Sequence, residues 1–167
     1  RWGGHSAWPL PLSVAQHSLA VLALRREAEP TGLTARAELR ELLHDADEGL
    51  LGFDPLSVLK PFLGDGFHAL AGRLQDAVFQ RYGLTYWTAD EKIEHKKADR
   101  IAAASEAVHV AGWTRDEVKH VLKIPFKPLE RDPLMATYGG TPWEPWAPTV
   151  AAERFLKELK RIQKKLA

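Results

Sequence analysis

Residues 37–48 read Ala37-Glu38-Leu39-Arg40-Glu41-Leu42-Leu43-His44-Asp45-Ala46-Asp47-Glu48. Leu39, Leu42 and Leu43 recur at helical spacing with neither Gly nor Pro between them, so the stretch predicts an amphipathic helix. On such a helix Glu48 lies four residues after His44 and three after Asp45, on the side of both. Imidazole and carboxylate are the ligand pair that suits a borderline or hard divalent cation. His44-Asp45 therefore reads as half of a metal site, with Glu48 placed to orient or deprotonate a water without being a ligand.

The other half is expected on neighbouring helices. Residues 11–24, PLSVAQHSLAVLAL, put His17 three residues after Val14 and four before Val21, on the apolar side of its own helix. Residues 96–107, KKADRIAAASEA, flank Asp99 with Ala98, Ala102 and Ala103, small neighbours that let a short side chain reach inward. Taken singly, each residue has a bland use: a lone core His is usually hydrogen-bonded, and an Asp in a charged helix is usually solvated. The ordered set says more. Two imidazoles and two carboxylates around one ion leave positions open for water and a phosphate oxygen.

Segments of helical period dominate the rest of the chain and alternating β-branched runs are nearly absent, so the class is all-α. Helices are expected at roughly 12–28, 33–48, 54–62, 66–82, 88–111, 114–121 and 148–165. Pro30-Thr31-Gly32 and Gly83 act as stops, Thr88 to Glu91 forms a capping box, and Asp116 and Glu117 suit a helix start. Prolines and glycines cluster over 123–148, which reads as an ordered loop pinned by Trp143 and Trp146. In the last helix Phe155, Leu156, Leu159, Ile162 and Leu166 form an apolar stripe. Lys157, Lys160, Arg161, Lys164 and Lys165 then read as its solvated face. His95, in the run EKIEHKK, reads as a surface residue, with help to the site one turn before Asp99 as the alternative.

With 167 residues and 45% hydrophobic content, the chain fits one domain over 1–167. Its 23 basic and 22 acidic groups nearly cancel, so no overall field argues for nucleic acid or a membrane surface. The absence of cysteine excludes disulfides and thiolate metal sites. No apolar run approaches the ~18 residues of a membrane span, so a cytoplasmic protein is expected. Met135 is the single methionine, and residues are expected to precede Arg1.

The order His17, His44-Asp45, Asp99 resembles the signature of the HD-domain phosphohydrolases. PLSVAQHS, LLHDADEGLLG, the KKADR segment and the closing WEPWAPTVAAERFLKEL are similar to the small 5′-deoxynucleotidase-like branch of bacteria and phages, over nearly the whole chain. The resemblance implies an HD-type helical bundle, with His17, His44, Asp45 and Asp99 as ligands of one divalent transition metal (Co, Mn, Zn, Ni or Fe). It implies Glu48 as the water-activating residue. Arg1-Trp2 resembles an Arg-Trp pair of the nucleotide pocket, Arg near phosphate and Trp near the sugar. GFDPLSVLK, residues 52–60, is similar to the branch's Gly-Asp-x-Pro-x-Pro-x-Lys loop, with one residue inserted after Gly52 and without the second Pro. Asp54 would then meet the sugar and Lys60 the phosphate. The implied activity is metal-dependent hydrolysis of deoxynucleoside 5′-monophosphates by a homo-oligomer.

Two other readings fit the same residues. A dNTP triphosphohydrolase, like the phage dATP-degrading members of the branch, would need more cations, for which Lys60, Arg73, Lys96 and Lys97 are candidates. A non-catalytic nucleotide-binding module would need only the fold.

Overall fold

A computed structural model describes residues 1–166 and is all-helical, with no strand among the described residues. Eight α-helices follow in order: α1 Val14–Ala28, α2 Ala35–Leu42, α3 Ala46–Leu51, α4 Gly64–Tyr82, α5 Ala89–His109, α6 Arg115–His120, α7 Met135–Tyr138 and α8 Pro148–Gln163. Their starts are chemically marked. The hydroxyls of Ser13 and Thr34 accept the backbone N–H groups of Gln16 and Ala37, and Thr88 and Thr114 close capping boxes with Glu91 and Glu117. Gly83, at φ +62°, ends α4 in a left-handed turn that a side chain would strain.

The first helix is the hub. It packs against α2, α5 and α8, while α3 lies on α4. Leu19 and Leu22 of α1 meet Leu39 and Leu42 of α2 and Leu159 and Ile162 of α8 in the main core. On its other side Val21 meets Ala98 and Ala102 of α5, small residues that admit close approach of the two helices. A further core joins Trp2 and Leu12 to Ala104, Ala107, Val110 and Leu122.

Four expectations are corrected or narrowed. The helix expected over 33–48 breaks after Leu42, and His44 and Asp45 sit in the turn before α3. There the ring of His44 bonds the carbonyl of Glu41, a group that a continuous helix would have spent on the backbone of Asp45. The helix expected over 54–62 shrinks to one 3-10 turn, Lys60–Phe62, because Pro55 and Pro61 cannot donate to a helical ladder. The loop over 123–148 contains the short α7, and Trp143 stacks on His109 with ring centroids 4.5 Å apart. Leu156 of α8 and Leu166 beyond its end stay exposed, so the buried stripe is narrower than its sequence pattern. No helix among the described residues is long and apolar enough to cross a membrane.

Candidate metal centre

His17, on α1, is fully buried and its Nδ1 lies 2.7 Å from Oε1 of Glu106 on α5. His44 places Nδ1 2.8 Å from the carbonyl oxygen of Glu41. Both acceptors require an Nδ1–H, which leaves the lone pair of each neutral ring on Nε2. Both Nε2 atoms are buried and have no hydrogen-bond partner. Such orphans are rare in folded proteins and ask for an explanation. A carboxylate or carbonyl behind a ring whose far nitrogen points inward is the usual setting of a metal-binding histidine.

Two carboxylates complete the set. Asp45 Oδ2 lies 3.1 Å from His44 Nε2 and 3.4 Å from His17 Nε2, and Asp99 Oδ1 lies 3.4 Å from His17 Nε2. One ligand atom from each of the four residues falls within 4.8 Å of the rest. Ligands bonded at ~2.1 Å to one ion and subtending 90–110° stand ~3.0–3.4 Å apart, so the three close pairs match one ion, and the widest pair would draw in by a few tenths of an ångström around it. The close packing of Ala98 and Ala102 on α1 brings the short Asp99 side chain within this range.

Charge supports the same conclusion. The carboxylates of Asp45, Glu48, Asp54, Asp99 and Glu106 outnumber the cations of Arg1, Lys60 and Lys96 by two, a deficit that protons on His17 and His44 meet in the ion-free chain and that a divalent ion would meet in their place. The titrating groups register it. Burial, then the charges of Asp45 and Asp54, push the Glu48 carboxyl up to about 7. Burial and Arg1 oppose a charge on His17, but Glu106, Asp45 and Asp99 outweigh them and hold its imidazole above the ordinary value. Despite its own burial, Asp99 stays far below the usual carboxylate range because His17 and Lys96 face it.

Beside the four residues lies a cavity of about 280 Å³ lined by Arg1, Trp2, Glu48, Asp54 and Lys60, together with Asp45 and Asp99. This is close to the lower end of small-ligand pockets, ~300 Å³. Arg1 Nη1 lies 3.2 Å from Asp45 and 3.4 Å from Asp54, and its Nε lies 3.2 Å from Glu106. Lys60 donates to Glu48 Oε1 at 2.7 Å, while Glu48 Oε2 is buried without a partner. All nine residues singled out in the sequence thus converge. Of the additional cations, Lys60 and Lys96 line the cavity, whereas Arg73 and Lys97 are exposed and do not.

Sequence reasoning missed Glu106, although it falls two helical turns after Asp99 on the same face of α5. It also placed His95 at the surface. His95 is 2% exposed, with Nδ1 2.6 Å from Glu41 Oε2.

Fold and site together define an all-α protein with a group of His and Asp side chains able to hold a metal ion. No family model matches the chain. A protein of Rhodobacter capsulatus, described as uncharacterized, is 38% identical over 132 residues, spanning 78% of this chain and 66% of that protein. The chain thus covers just under two thirds of that relative's length.

Proposed function

We propose that this chain is an HD-domain, metal-dependent phosphohydrolase acting on nucleotides, with deoxynucleoside 5′-monophosphates as its substrates and the cytoplasm as its setting. The observation that carries the reading is the convergence of the orphaned His17 and His44 Nε2 atoms with Asp45 and Asp99 at the edge of a cavity that also holds Arg1, Lys60 and Glu48. Imidazole donors favour a first-row transition ion such as Co, Mn, Zn, Ni or Fe over calcium. When bound, such an ion supplies Lewis acidity, polarising a phosphoryl oxygen and making a neighbouring water more acidic.

The protein's own groups do the rest. Glu48 accepts the water's proton on Oε2, its free oxygen, and Lys60 holds Oε1 so that the carboxylate keeps its aim. Arg1 and Lys60 neutralise charge on the phosphate, as fixed cations do in phosphoryl transfer. Trp2, buried on the cavity wall, is the residue that would crowd a ribose 2′-hydroxyl. A hydroxyl buried there without a partner costs roughly 1–3 kcal/mol, so deoxyribonucleotides should be hydrolysed on the order of ten to a hundred times faster than ribonucleotides.

The test is a metal-supplemented hydrolysis screen over deoxy- and ribonucleotide mono- and triphosphates. Release of inorganic phosphate from dAMP well ahead of AMP, with the gap narrowed by Trp2→Ala, is the expected result. Equal rates on the two sugars would remove the deoxynucleotide part, and no hydrolysis with any metal would leave a binding module. A dNTP triphosphohydrolase is the second reading, favoured by Lys96 and Arg100 on the cavity wall. Release of a chain of phosphates from dATP would select it.

A further inference from the structure

Glu41 stands where α2 gives out. The last carbonyls of a helix have lost their backbone donors, and the final turn frays unless something else holds it. The Glu41 carbonyl accepts the ring N–H of His44 instead, at 2.8 Å, so the aim of His44 depends on a peptide group at a helix end. The side chain of the same residue is anchored. Its carboxylate accepts Nδ1–H of His95 at 2.6 Å and Nε1–H of Trp87 at 2.9 Å. Glu41 is 1% exposed and His95 2%. The His95 ring stacks on Trp87 with centroids 4.3 Å apart and meets the ring of His44 edge-on at 5.0 Å.

The second partner makes this more than local support. His95 precedes Asp99 by one turn of α5, while Glu41 precedes His44-Asp45 by one turn at the end of α2. Between these helices stands α1, which packs on both. The Glu41–His95 bond is therefore a direct tie between the two segments that bring Asp45 and Asp99 to His17.

We propose that Glu41 and His95 are positioning residues of the metal centre: their hydrogen bond fixes the carbonyl that orients His44 and sets the spacing between the ligand-bearing ends of α2 and α5. The inference rests on the metal-binding part of the reading above, and not on any substrate. Neither residue lines the cavity, and neither touches a reacting group.

The experiment is titration of the full chain with Co(II), following the visible absorption band and the affinity, for Glu41→Gln, His95→Gln and Arg40→Gln. Arg40 ties α2 to the start of α5 through Glu91 and the carbonyl of Tyr86 and lies over the outer part of the same assembly, 5.4 Å from the Trp87 ring centroid, but makes no hydrogen bond to Glu41, His95 or the four candidate ligands. It therefore controls for general loosening. Loss of an outer partner of a ligand typically weakens metal binding roughly 10- to 100-fold. That loss, with a changed Co(II) band, is expected for Glu41→Gln and His95→Gln and not for Arg40→Gln. The double variant should lose less than the sum of the two single losses, since both substitutions break the Glu41–His95 bond. Wild-type affinity and spectrum in both variants would overturn the proposal, as would an equal loss in Arg40→Gln. No Co(II) uptake by the wild-type chain would instead sink the metal reading and this inference together. Should one variant fail to fold, the other and Trp87→Phe, which keeps an aromatic ring against His95 and removes the second donor to the Glu41 carboxylate, carry the test.

Discussion

The first turn of α2 brings Glu38 to Arg26 and Lys165, and the Arg26 guanidinium passes on to Glu158, itself gripped by Arg161. Beyond the other end of α2, His44, Asp45 and Glu48 gather with His17, Arg1 and Lys60. In both clusters the carboxylates are largely buried, although Arg161 and Lys165 of the first are exposed. In the first, every carboxylate oxygen has a donor within 2.5–2.9 Å. In the second, His17 Nε2, His44 Nε2 and Glu48 Oε2 have none. Proton affinity follows the same division. Burial tends to raise the carboxyls of Glu38 and Glu158, but Arg26, Lys165 and Arg161 outweigh it and lower both. Glu48, buried beside Asp45 and Asp54, is instead pushed up to about 7. A closed ion network is structural; one left open by a few atoms is waiting for something else.

The largest effect should come from removing a ligand of the open cluster. Asp45→Ala is expected to reduce metal content from about one ion per chain to none, by elemental analysis after dialysis. Full occupancy in that variant would refute the site as drawn. Glu48→Ala should keep the ion and lower kcat by roughly 10²- to 10⁴-fold, as expected for loss of a general base. Near-normal turnover with metal retained would take Glu48 out of the mechanism.

Stability should then divide the clusters by sign. A carboxyl whose folded pKa is raised binds more protons folded than unfolded, so it costs stability as pH rises from the unfolded value, near 4.5, through about 7. In chelator-treated protein, Glu48→Gln should therefore be more stable than wild type by about 1–3 kcal/mol at pH 8, with the difference closing near pH 4.5. Denaturant unfolding at the two pH values measures it, and a destabilised variant at pH 8 would contradict the open-cluster picture. Glu38 has the opposite sign. Its folded pKa is depressed, so its contribution is present above about 4.5 and is lost as pH falls through the lower, folded value. Glu38→Gln should cost about 1 kcal/mol at pH 7, a small figure because solvent screens Arg26 and Lys165. Metal binding should not change, and a variant that lost its ion would show that the clusters are coupled through α2.

The cluster of His17, His44, Asp45 and Asp99 was legible as a candidate because metal chemistry admits few residue types, and because Ala98 and Ala102 announce a helix face close enough for Asp99 to reach across. All-helical architecture followed from periodicity and caps such as Thr88 with Glu91. The break before His44 was not legible. It depends on a ring N–H taking a carbonyl from the backbone, and the apolar pattern of Leu39, Leu42 and Leu43 runs up to that point unaltered. His95 was misplaced for a related reason. Its neighbours in EKIEHKK are solvated, and the partner that buries it, Glu41, lies 54 positions upstream. The expected helix over 54–62 gave Pro55 and Pro61 too little weight.

Arg1 bears on how the molecule matures. Its guanidinium stands among Asp45, Glu48, Asp54 and Glu106, with nitrogen–oxygen distances of 3.2–3.9 Å. Small zinc domains stay unfolded until their ion arrives, because its binding free energy supplies what a small core cannot, including any offset to repulsion among the ligands. Here a built-in cation takes part of that role, so the chain is expected to reach its fold first and to load its metal afterwards, reversibly. Far-ultraviolet dichroism should then be superimposable before and after chelation. An ion taken up by such a preformed site would be chosen by the metals free in solution at the moment of loading and not by the folding pathway.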